Sequence, residues 1–168
     1  STMEICSGET VSFTSTQQNG GTDPHYQWKI NNTNVGIDSR EFLTSSLSNG
    51  DVVTVELTSN LNCAYPKTTI SSPITIEVNQ KINPTVEIFA TATNISLGES
   101  VDFMAIGENT GTNPTYQWYV NNIDQKINSP FFSSASLQNN DIVKTTMVSN
   151  APCVSNFNAS SQLTIFVP

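Results

Sequence analysis

Short runs of alternating apolar and polar residues recur along the chain, bounded by clusters of Asn, Gly, Ser, Thr and Pro. Successive side chains of a β-strand point to opposite faces, so each run assigns an inner and an outer side. ETVSFTS (residues 9–15) puts Val11 and Phe13 on one face, and YQWKI (26–30) does the same for Tyr26, Trp28 and Ile30. DVVTVELTS (51–59) turns Val53, Val55 and Leu57 inward and Thr54 and Glu56 outward, and ITIEV (74–78) turns in Ile74, Ile76 and Val78. Between them lie polar turn stretches such as QQNGGTDP, NNTN and LSNGD. Period-2 strands with turn signals about every 8–12 residues predict an antiparallel β-sandwich.

The pattern is written twice. Tyr26 matches Tyr116 and Trp28 matches Trp118, a constant offset of 90 residues that also pairs Gly8 with Gly98, Phe13 with Phe103, Asp51 with Asp141 and Cys63 with Cys153. In the second copy the inward positions are Val101 and Phe103, then Tyr116, Trp118 and Val120, then Val143 and Met147, then Leu163, Ile165 and Val167. Near the end SSPITIEV meets SSQLTIFV at an offset of 89, one residue having been lost in the second loop. A repeat of this length is a tandem array of domains rather than a short-period solenoid. The boundaries expected are 1–79 for the first repeat, 80–83 for a short linker and 84–168 for the second repeat. PTVEIFATATNIS opens the second repeat with an extra strand, whereas the first repeat is expected to lack its opening strand or to have it upstream.

Composition narrows the function classes. Charged residues make up only 12% of 168 positions, and the formal charge of −8 disfavours phosphate backbones and anionic membrane surfaces. Nucleic-acid binding and membrane insertion are therefore not expected, and no apolar run approaches the length of a bilayer span. The lone histidine, His25, stands by a proline turn with Thr115 as its counterpart, and no nucleophile is paired with a base by spacing. No metal-ligand spacing is present, although Asp23 and Asp38 are loop carboxylates of the kind calcium uses. The expectation is a protein without enzymatic activity, cofactor or metal.

Three stretches carry a family resemblance: C-x-G-x-x-V-x-F-T, then N-G-G-x-x-P-x-Y-Q-W-K-[IV]-N, then S-L-x-N-G-D-x-V-T-V-x-L-T-S-N-x-x-C. Together they resemble a repeat of large secreted Bacteroidota proteins, the gliding-motility adhesins of the SprB type and related PKD-like or immunoglobulin-like modules. The resemblance covers nearly the whole chain twice. It implies an all-β fold of two tandem immunoglobulin-like antiparallel β-sandwiches arranged end to end. It also implies type IX export, display on the outer membrane at the extracellular cell surface, and a stalk and surface-contact role in adhesion and gliding. Neighbouring repeats of the same chain and a surface polysaccharide or other extracellular surface are the partners implied. The rival reading is an accessory spacer or carbohydrate-binding module of a secreted glycan-degrading enzyme. The second repeat departs from the pattern at Ser96 for Cys6, Asn140 for Gly50 and Tyr119 for Lys29.

In such a fold Tyr26, Trp28, Tyr116 and Trp118 belong to the structural core, a strand-C tryptophan being the usual plug between the sheets. Asp51 and Asp141 cap the turn before the next long strand. Better contact candidates are aromatics that break the inward pattern, namely Tyr119, Phe131 (beside the core candidate Phe132), Tyr65 and Phe157. Their counterparts differ between repeats, so a shared binding function does not follow. Of the three cysteines, Cys6 precedes one strand and Cys63 follows a strand running the same way, which sets them ~25 Å apart. A disulfide needs Cα atoms within about 7 Å. The pairing expected is Cys6 with Cys153, Cys63 being left for an upstream repeat, with Cys6–Cys63 as the alternative.

Overall fold

The computed structural model describes residues 1–168, which divide into two compact units, Ser1–Gln80 and Lys81–Pro168. Unit 1 contains β1 (Thr2–Cys6), β2 (Val11–Thr14), β3 (His25–Ile30), β4 (Thr33–Val35), β5 (Glu41–Thr44), β6 (Val52–Thr58), β7 (Thr68–Ile70) and β8 (Ile74–Asn79). One sheet has the order β1-β8-β6-β3-β4 with β7 beside β6, and β2 pairs with β5 in the other. Unit 2 contains β9 (Thr85–Ala90), β10 (Val101–Glu108), β11 (Thr115–Val120), β12 (Ile123–Asp124), β13 (Phe131–Ser134), β14 (Ile142–Val148) and β15 (Asn158–Thr164). Its sheets run β13-β10-β9 and β12-β11-β14-β15.

Unit 1 shows no counterpart of β9, since β2 pairs with β5 alone, and it begins on a strand that the alternation did not mark. Residues 2–6 are a strand, paired in parallel with β8 from Thr2 opposite Thr75 to Cys6 opposite Asn79. Only two apolar positions, Met3 and Ile5, mark it, too few to register as a period. The matching segment of unit 2 makes a single parallel bridge, Asn94 to Phe166.

Each core closes on its tryptophan. Trp28 stacks on Phe42 at 5.7 Å between ring centres, and Trp118 lies 5.5 Å from Phe132 with Phe103 at 6.2 Å. Both indoles are buried, and Tyr26 and Tyr116 pack half-buried against the same clusters. A buried indole N–H needs an acceptor. Trp28 Nε1 donates to the Ser39 carbonyl at 2.9 Å, and Trp118 Nε1 to the Ser129 carbonyl at 2.8 Å. Thr145 is an inward position missed by apolar pattern; it is fully buried, and its hydroxyl donates to the Gln117 carbonyl at 3.3 Å.

The asparagine pairs that follow each Tyr-Gln-Trp make the next turn. Asn31 and Asn32 have φ of 49° and 65°, and Asn121 and Asn122 have 50° and 65°. Two consecutive left-handed residues make the two-residue hairpin turn whose twist suits flanking strands, and Asn tolerates that region. The first asparagine of each pair also ties this turn to the start of the neighbouring strand in the same sheet. Asn31 Nδ2 donates to Asp51 Oδ1 at 2.7 Å while its Oδ1 accepts the Val52 N–H at 2.9 Å. Asn121, Asp141 and Ile142 repeat this at 2.7 and 3.0 Å. The other aspartate oxygen accepts the Ser48 or Gln138 N–H at 2.8 Å, the turn cap expected of Asp51 and Asp141.

Trp118→Ala will cost unit 2 about 3–5 kcal/mol in denaturant unfolding, through lost apolar burial and the cavity left behind. Asn121→Ala and Asp141→Ala will each cost about 1–2 kcal/mol. Their double variant will cost clearly less than the two together, because both remove one clamp.

Candidate functional site

The four aromatics singled out from sequence do not converge. Tyr65 belongs to unit 1 and is almost wholly exposed, beside Cys63 and Lys67 in a hollow that Gln18 and Asn19 also line. In unit 2, Tyr119 stands on the outer side of β11, half-buried, opposite Lys144 on β14 and Asp124 on β12. Phe131 is on the other sheet, exposed on β13 and directly opposite Met104 on β10. Phe157 precedes β15, exposed, and its carbonyl accepts the Ser149 N–H at 2.8 Å.

The divergence between Lys29 and Tyr119 has a local cause. Lys29 Nζ bonds Glu56 Oε2 at 2.8 Å across β3 and β6. Thr146 stands where Glu56 does, so that ion pair has no counterpart in unit 2. A partly exposed pair of this kind contributes little to stability.

His25 Nδ1 bonds the Asp38 carboxylate, and the other Asp38 oxygen accepts the Tyr26 N–H at 2.7 Å. The Tyr26 N–H and then His25 hold the Asp38 carboxyl below its ordinary range. In unit 2 the Tyr116 N–H donates to Asn128 Oδ1 at 2.8 Å, so a neutral amide serves the same position. Asp38 is therefore a turn acceptor with a histidine beside it. Asp23 and Asp38 share a shallow hollow, but Arg40 lines it too. No three His, Cys, Asp or Glu side chains gather where they could hold a metal ion.

Cys6 and Cys153 are disulfide-bonded, and Cys63 is a free, exposed thiol. Within unit 1 the two cysteines lie at opposite ends. Cys6 closes β1 beside Asn79, and its N–H donates to Glu9 Oε2 at 2.8 Å. Cys63 sits beyond β6 near Gln18 and Asn19, on the far side of β2. A Cys6–Cys63 bond is thus not formed. A disulfide fits an oxidising, extracellular setting. No helix is long and apolar enough to cross a membrane.

No family model and no curated protein matches the chain. Among solved structures it is similar to the N-terminal four Ig domains of Dscam1 isoform 8.4, at 9% identity and a TM-score of 0.45, covering 99% of this chain and 43% of that one. It is also similar to fibronectin(III)-like modules of Clostridium thermocellum CbhA, at 11% identity and a TM-score of 0.42, covering 98% of this chain and 88% of that one. Murine CEACAM1b gives 11% identity and a TM-score of 0.43, covering 98% and 96%. The chain thus spans less than half the length of the Dscam1 fragment. The strand pairing itself, β13-β10-β9 facing β12-β11-β14-β15, is the two-sheet arrangement with the tryptophan strand central in the second sheet. Both units are immunoglobulin-like β-sandwiches.

The outer face of the second immunoglobulin-like unit holds what sequence reading passed over. Met104 is opposite Phe131 on one side and Phe89 on the other, so three large apolar side chains form one row across three strands. The signal was present, since Phe89 and Met104 each adjoin an inward residue, Ile88 and Phe103, and so must point out.

Asp38→Asn in the first unit will preserve the bond from the Tyr26 N–H but lose the His25 contact to a charged carboxylate, lowering the melting temperature slightly near neutral pH. A depressed folded-state pKa contributes stability above the unfolded value, and that contribution is lost as pH falls through the folded one. The difference between parent and variant will therefore shrink on acidification below the ordinary Asp pKa of 3.8. Melting curves of both proteins across acid pH measure it.

Proposed function

We propose that the chain is a non-enzymatic, two-repeat segment of a filamentous cell-surface adhesin, acting as extended stalk and surface-contact module in adhesion and gliding motility. One observation carries the reading: the inner architecture is duplicated to the level of single hydrogen bonds, while outward residues vary. The tryptophan acceptor, the asparagine turn and the aspartate clamp recur at the 90-residue offset. The face beside them changes from Lys29 to Tyr119 and from Glu41 to Phe131. That is the economy of a spacer whose job is extension, with recognition delegated to individual repeats.

The disulfide-bonded cysteines support a load-bearing role. In this reading Cys6 is joined to Cys153, which encloses residues 7–152 in a covalent loop. Tension applied at the ends then loads only residues 1–5 and 154–168 before the sulfur bridge carries it, and residues 7–152 stay unloaded within the loop. Cys63 holds the loop position of Cys153 one repeat earlier, and it is the thiol that an upstream repeat would engage.

Non-reducing peptide mapping will find Cys6 joined to Cys153, with Cys63 alone alkylated before reduction; a Cys6–Cys63 peptide refutes the bridge. Pulled from its two ends, the oxidised chain will release only residues 1–5 and 154–168, about 70 Å of contour. With reductant the contour will rise to roughly 600 Å. The adhesin reading itself is tested on the intact polypeptide from which the segment comes. Many further repeats at the same spacing support it, and an attached glycan-degrading catalytic domain overturns it in favour of an accessory module.

A further inference from the structure

The outward face of β9, β10 and β13 is more apolar than the sandwich requires. Phe131 is 61% exposed, Ile106 49%, Phe89 46% and Met104 39%. Phe131, Met104 and Phe89 are consecutive in register, and Ile106 follows Met104 on the same side of β10. Together they expose an apolar patch on the order of 400 Å², the size at which a surface patch on a monomer is commonly functional. The corresponding face of unit 1 has Ser12 and Thr14 on β2 and Glu41 and Leu43 on β5, so only Leu43 is large and apolar there. The fold is built without the row, and its presence in unit 2 calls for another reason.

Charge around the row is of one sign. Asp102 and Glu108 stand at either end of the outward side of β10, and Glu87 stands opposite Ile106 on β9. All three are exposed, and none is in an ion pair. No Lys or Arg occurs on any of the three strands. Beside Ile106 lies a hollow lined by Thr85, Val86, Glu87, Ile106 and Glu108, so apolar side chains and two carboxylates border the same space. A long cationic side chain matches that hollow, its methylenes on Ile106 and its charged head between the carboxylates. Two copies of this face would set acid against acid, which disfavours self-pairing.

We infer that this face docks a polypeptide segment with an apolar centre over Phe131, Met104 and Phe89 and a Lys or Arg in the hollow of Glu87 and Glu108. Met and Phe at the centre with charge confined to the rim is the usual anatomy of a protein interface. The aliphatic share of the patch, Met104 and Ile106, fits an apolar side chain better than the flat face of a sugar ring. This goes beyond the stalk role, and it stands or falls independently of it.

The test uses the intact 168-residue chain. Fluorescence anisotropy is read with two labelled peptides of equal charge, one alternating Leu with Lys and one alternating Ser with Lys, and cellohexaose serves as a neutral competitor. The Leu–Lys peptide will bind at least about tenfold more tightly than the Ser–Lys peptide. Phe89→Ser combined with Phe131→Ser will weaken it about tenfold or more, as will Met104→Lys, which places a cation at the centre. Glu87→Gln with Glu108→Gln will weaken it and flatten its salt dependence, while Leu43→Ser in unit 1 will leave it unchanged. All these positions are exposed, and unchanged melting curves will show that the variants fold. Equal binding of the two peptides, parent-like binding by the Phe89/Phe131 variant, or no binding up to about 1 mM overturns the proposal. Displacement by cellohexaose at the same residues also overturns it, assigning the face to glycan instead.

Discussion

Everything in each unit is arranged around one buried indole that must both fill space and find a hydrogen-bond acceptor. Two packed sheets stand about 10 Å apart, and a tryptophan on a central strand bridges that gap. Trp118 does so with Phe103 and Phe132 on the facing sheet, and Trp28 does so with Phe13 and Phe42. An apolar plug without a nitrogen would leave the next loop free to wander. The indole N–H instead ties that loop down at Ser39 or Ser129, immediately before the strand that supplies the facing phenylalanine. One side chain thereby sets sheet spacing and loop position together.

The polar composition follows from the same thinness. A small sandwich has many chain reversals and few residues to cover them, so turns must satisfy their own backbone groups. The asparagine and aspartate clamp does this at one end of each unit. At the other end Ser59 and Ser149 are buried, their hydroxyls donating to the Asn19 and Asn109 carbonyls at 2.8 and 2.6 Å. Glu9 and Glu99 accept the N–H of Cys6 and Ser96, which holds the tight turn before β2 and β10. Abundant Ser, Thr and Asn are thus structural in much of the chain rather than filler on its surface.

Alternation along the chain disclosed most of the strands and both cores, because burial of one face leaves a period-2 trace that turns cannot mimic. It lost β1, where two apolar residues make too short a run, and it lost Thr145, a polar side chain at an inward position. The candidate site was less legible. Phe131 stood out because it sits next to Phe132, but the row that includes Phe89 and Met104 exists only across strands. Cross-strand register depends on loop lengths that residue types do not disclose. The roles of Asp51, Asp141 and the paired asparagines were half visible. The turn cap could be read locally, whereas the reach of Asn31 to Asp51 spans twenty residues and needed the fold.

A chain that encodes the same core twice must also assemble it twice without exchanging parts, since near-identical neighbours invite strand swapping. The outward positions that differ between units act against that error. If β3 took the place of β11, Lys29 would stand opposite Lys144, where Tyr119 now stands, and Glu56 would lose its cation. Like charges directly opposed on adjacent strands are destabilising. If β8 and its preceding loop took the place of β15, Pro73 would fall opposite Lys144 in the position of Gln162, and proline brings no N–H to a ladder. The residues that diverge between the two repeats thus work as labels of belonging, by which each strand is at home in only one of two almost interchangeable halves.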